Sequence, residues 1–64
     1  MANFKIQAYN QEMTELISEY NKEFDTTYDA LAEAYDKADS EDIVVLMRQS
    51  IIDKKSWKIV AKFY

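Results

Sequence analysis

The chain has no cysteine, no histidine, no glycine and no proline. Lacking cysteine, it can form no disulfide and no thiolate nucleophile, and lacking histidine as well it cannot build a zinc cage. The same two absences remove Ser-His and Cys-His pairs and the imidazole proton shuttle. Carboxylate pairs alone would need a pocket that raises one pKa. A chain of 64 residues has little room to enclose the roughly 300 Å³ of a small-ligand site. These absences point away from an enzyme and away from a cofactor or metal.

Glycine and proline average about 7% and 5% of globular sequences, so their joint absence carries information. Every turn must be made without a permissive residue. That counts against two-residue hairpins, phosphate-cradling loops and calcium loops, and it favours long helices ended by side-chain caps. No apolar run approaches the roughly 20 residues of a membrane span, and the start of the chain lacks the basic-then-apolar layout of a secretory signal. The expectation is a cytoplasmic protein with no membrane association, forming one domain over residues 1–64. A domain of this size buries only about 60% of its unfolded surface. With no staple available, association with itself or with a partner is the remaining reinforcement.

What is present is mostly periodic. Between residues 13 and 38 the apolar positions Met13, Leu16, Ile17, Tyr20, Phe24, Tyr28, Leu31, Tyr35 and Ala38 are spaced mainly three and four apart, an amphipathic helix pattern. Asn10 is placed to cap it. Thr26-Thr27-Tyr28-Asp29 has the shape of a capping box, so the segment reads as a kinked helix or as two helices meeting near Asp25. Tyr20, Tyr28 and Tyr35 share the core-facing stripe with Leu16 and Leu31. Asp39-Ser40-Glu41-Asp42 reads as a further helix start, with Ile43, Val44, Met47 and Ile51 as its buried face and a break near residues 53–56.

The two ends read differently. Phe4, Ile6 and Ala8 alternate with Lys5, Gln7 and Tyr9, and Trp57, Ile59, Ala61 and Phe63 alternate with Lys58, Val60, Lys62 and Tyr64. A period of two indicates half-buried strands. The sequence therefore predicts an α+β domain, predominantly helical, in which two or three central helices pack on terminal strands paired with each other; the alternative is an all-α bundle. Open strand edges suggest a homodimer.

Charge is segregated. Between residues 10 and 42, eleven carboxylates stand against Lys22 and Lys37, a net −9, whereas residues 43–64 sum to +4 and the whole chain to −4. On the helical reading, Glu12, Glu15, Glu19 and Glu23 line one face, and Asp29, Glu33 and Asp36 another. Seven aligned carboxylates form a candidate surface for a protein partner with a basic surface, an enzyme acting on nucleic acid being one such partner; the bland reading is a solvated face. The acidic cluster at Asp36, Asp39, Glu41 and Asp42 lacks calcium-loop spacing and is better explained by helix capping. Arg48, Lys54, Lys55, Lys58 and Lys62, with Trp57, Phe63 and Tyr64 among them, make a poor nucleic-acid footprint against nine net negative charges on so short a chain, so direct nucleic-acid binding is disfavoured. The second function class is a small assembly protein that self-associates through a sheet edge and exposed aromatics, Tyr9, Trp57 and Tyr64 being the candidates.

Overall fold

Ile43-Val44-Val45-Leu46-Met47 is a continuous apolar run rich in β-branched residues. A one-faced helix cannot bury every position of such a run, but a central strand can. In the computed structural model, which describes residues 2–64, this segment is the inner strand β3 (Ile43–Gln49). Around it lie β1 (Ala2–Tyr9), β2 (Leu16–Phe24) and β4 (Trp57–Phe63), with one helix, α1 (Thr27–Ala38), between β2 and β3. The strands form a single antiparallel sheet in the order β2-β1-β3-β4.

This architecture overturns the predominantly helical reading and the all-α alternative. Residues 16–24 are a strand, not the first half of a long helix, and residues 43–49 are a strand where a third helix was expected. Both chain ends are strands, as their alternation implies, but they do not pair with each other: β1 and β4 flank β3 on opposite sides. The capping box at Thr26 does open a helix. Thr26 Oγ1 accepts from the Asp29 amide at 3.1 Å, and the helix runs 12 residues from there.

The core lies between the sheet and α1. Phe4, Ile6 and Ala8 of β1 and Val44 and Leu46 of β3 point toward the helix, which meets them with Ala30 and Ala34. Two alanines let the helix approach closely, and Leu31 and Ala38 extend the contact. The inward stripe keeps Leu31 and Ala38 of the expected one but is centred on Ala30 and Ala34. Tyr28 and Tyr35 are 84% and 61% exposed, and Leu16 is exposed too, so these three are not core residues. Phe4 meets Phe24 edge to face at 5.7 Å, and Tyr35 lies edge to face on Phe63 at 5.9 Å. Each such pair adds about 1 kcal/mol beyond the area it buries.

With no glycine to bend the chain, side chains make the turns. Asn10 was expected to cap a helix; it closes the β1–β2 loop instead, its Oδ1 accepting from the amides of Thr14 and Glu15 at 2.9 and 3.1 Å. Met13 is forced to a left-handed φ of 57°, a conformation that costs a residue with a Cβ about 1–2 kcal/mol. Asp53 does the equivalent work in the β3–β4 loop. It accepts from the Lys55 amide and the Ser56 hydroxyl, and these two donors hold its carboxyl below the ordinary value.

Candidate functional site

The seven carboxylates read from the sequence do not form one ladder. Glu12 and Glu15 stand exposed in the β1–β2 loop. Glu19 and Glu23 lie on β2, opposite Gln7 and Asn3 of β1, on the face of the sheet turned away from the helix. Asp29 is in the first turn of α1, with Glu33 and Asp36 further along it. The helical spacing expected over Glu12, Glu15, Glu19 and Glu23 is absent because that segment is a loop followed by a strand.

Two of the seven are engaged inside the molecule. Glu33 accepts from the Tyr20 hydroxyl and from Lys22 Nζ, both at 2.7 Å, which ties α1 to the edge strand β2. The Lys22 ammonium and then the Tyr20 hydroxyl hold its carboxyl below the ordinary range. Burial, reinforced by the Glu33 carboxylate, pushes Tyr20 up to about 12. Glu19 accepts from the Gln7 amide at 3.0 Å and pairs with Lys5 at 3.5 Å. The Gln7 hydrogen bond is the largest cause of its lowered pKa.

Of the other five, Glu12, Glu15 and Asp36 lie toward one end of the sheet, whereas Glu23 and Asp29 lie at the opposite end, where β2 runs into α1. Strand registers bring Tyr9, Leu16, Ile43 and Phe63 to the same end of the sheet. The loop bearing Glu12 and Glu15, the last helical turn with Asp36, and the turn with Asp39, Glu41 and Asp42 all open at that end, beside Lys37 and Lys62. Cations collect at the far corner. There Arg48 and Lys58 are register partners, and Lys54 and Lys55 lie in the adjoining loop. An open groove of about 460 Å³ runs past Asn3, Asp25, Arg48, Gln49 and Lys54. Among the described residues no group of three potential ligands is placed to hold a metal, and no helix is long and apolar enough to cross a membrane.

A second surface was not read from the sequence. The face of the sheet opposite α1 has no covering layer, and it carries Lys5, Gln7 and Tyr9 of β1, Val45 and Met47 of β3, and Trp57 and Ile59 of β4. Gln7 and Val45 are nevertheless buried, because neighbouring side chains lie across them. The Tyr9 hydroxyl donates to Gln7 Oε1 at 3.0 Å, and Lys5 Nζ sits 4.4 Å above the Trp57 ring. A register shift after Leu46 inserts Val60 as an extra residue in β4. The shift turns Trp57 and Ile59 to the open face while Ala61 and Phe63 face the helix, so the four do not share the single side that their alternation predicts. The uninterrupted apolar run of β3 was the available signal for this face, since such a run implies burial on both sides of a strand.

No protein-family model, curated protein or solved structure matches this chain.

Proposed function

We propose that the chain is a non-enzymatic binding protein that engages a basic protein partner through its acidic end. The observation that carries this reading is the convergence of Glu12, Glu15 and Asp36 with Asp39, Glu41 and Asp42 at one end of the sheet. Glu23 and Asp29 lie at the opposite end and stand outside this grouping, and Glu19 and Glu33 act mainly as internal struts. Such a field speeds encounter with a positive surface and orients the approach. An enzyme that grips nucleic acid through a basic groove is one partner of this chemistry, and occluding the groove would inhibit it. The same reading takes the cytoplasm as its setting.

The test is to compare wild type with a Glu12→Lys, Glu15→Lys, Asp36→Lys triple variant as baits in capture from the native host. All three side chains are exposed, so the variant keeps the wild-type circular dichroism. A basic protein retained by wild type and lost by the variant supports the reading; identical captures dismiss it. The second function class, self-assembly, is favoured by a separate observation, the uncovered sheet face.

A further inference from the structure

Four residues in register cross the open face in one row: Glu19 on β2, Gln7 on β1, Val45 on β3 and Lys62 on β4. The row runs negative, polar, apolar, positive. Lys62 is exposed and makes no ion pair among the described residues. From this arrangement we infer that the open face is the interface of a symmetric homodimer of this chain. The inference does not rest on the acidic end or on its proposed partner.

Charge decides how the copies meet. A two-fold axis lying in the interface, close to the strand direction and between β1 and β3, exchanges β2 with β4 and β1 with β3. It sets Glu19 of each copy against Lys62 of the other, and lays the side chains that cover Gln7 and Val45 in one copy over those of the other. An axis across the strands would lay β2 on β2 and bring its carboxylates, Glu19 and Glu23, over the carboxylate-bearing strand of the other copy, which like-charge repulsion opposes. The favoured axis keeps the strands of the two sheets roughly aligned, as in ordinary sheet-on-sheet packing.

The face is already organised for this contact. The Tyr9–Gln7 hydrogen bond and the Lys5–Trp57 stack fix side chains that would otherwise have to be ordered on association. Four strands about 4.8 Å apart and about 26 Å long offer roughly 500 Å² per copy. The resulting total of roughly 1,000 Å² is at the lower bound for a specific interface, the size class of weak and transient contacts.

Trp57 is the only tryptophan and lies on this face, so it reports the contact directly. Sedimentation and Trp57 emission are to be followed together on the intact chain from about 5 µM to 1 mM, a span that covers weak association. The expected result is a rise from monomer to dimer mass with a parallel blue shift. Lys62→Glu should raise the dissociation constant at least about tenfold, in line with the cost of a like-charge contact across an interface. Mixing Lys62→Glu with Glu19→Lys should restore the dimer, because each variant carries the charge that the other lacks. Lys62 is exposed, so Lys62→Glu alone suffices if Glu19→Lys does not fold. A wild type that stays monomeric at 1 mM overturns the inference, as does a dimer whose Trp57 emission does not change or whose stability ignores Lys62→Glu. A monomer that still captures a basic protein would remove the dimer while leaving the acidic-end reading intact.

Discussion

Val44 and Val45 are adjacent, chemically identical and both buried, yet they do different work. Val44 faces α1 within the main hydrophobic cluster, beside Ile6, Ala8 and Leu46. Val45 faces the other way and lies outside that cluster, shielded only by side chains of its own face. One side of the sheet is closed by a second layer, and the other by side chains lying flat. The helix-covered face therefore carries the stability of the fold, and the open face is free to meet another surface.

The largest effect should come from breaking the covered face. Leu46 is fully buried between sheet and helix, and Leu46→Ala should cost about 2–4 kcal/mol, much of the stability of so small a domain, as urea denaturation will show. Loosening the cover should cost less. Thr26→Ala removes the acceptor for the Asp29 amide and should destabilise by about 1 kcal/mol, with a lower melting temperature and faster amide exchange in the first turn of α1.

The smallest effects belong to the two carboxylates that brace β2 from either side. Glu33 titrates below its ordinary value of 4.5 in the folded chain, so its contribution is complete above that pH and is lost as pH falls through the folded value. Tyr20 shifts the other way. Its contribution is complete below pH 10 and disappears as the pH rises toward about 12. Both groups are partly exposed, so Glu33→Gln should cost about 0.5 kcal/mol at neutral pH and flatten the acid limb of the stability profile. Glu19→Gln should cost less in dilute protein, because Gln7 and Lys5 hold Glu19 on a face that no helix closes.

The terminal strands were legible because Phe4-Ile6-Ala8 and Trp57-Ile59 alternate cleanly, and the start of α1 was legible because Thr26 and Asp29 stand at capping distance. The first expected helix failed for a reason of arithmetic. Tyr20 and Phe24 are four apart, and a step of four keeps a residue on one face of a strand as well as on one side of a helix, while a register shift before Ser18 turns Leu16 to the other face. In β3 the helical pattern through Val44 and Met47 passed over Val45 and Leu46, whose apolarity a one-sided helix leaves unexplained. The bulge at Val60 has no signature in the composition of β4, so the turning of Trp57 onto the open face was not readable. The candidate site was half legible. The excess of carboxylates was plain from the sequence, but the grouping of some of them at one end depends on strand order, which puts the loops bearing residues 12 and 41 at the same end of the sheet.

The difference between the two faces is tested most directly by unfolding Val44→Ala and Val45→Ala in urea, at low and high protein concentration. In dilute solution Val44→Ala should cost about 2 kcal/mol and Val45→Ala about half of that, because a truncated side chain costs more where surrounding layers cannot relax into the space. At high concentration the cost of Val45→Ala should grow, because Val45 supports from beneath the side chains that meet the other copy, while that of Val44→Ala stays constant. Equal costs that do not vary with concentration would show that both faces serve the monomer alike, and would contradict the division of labour between them.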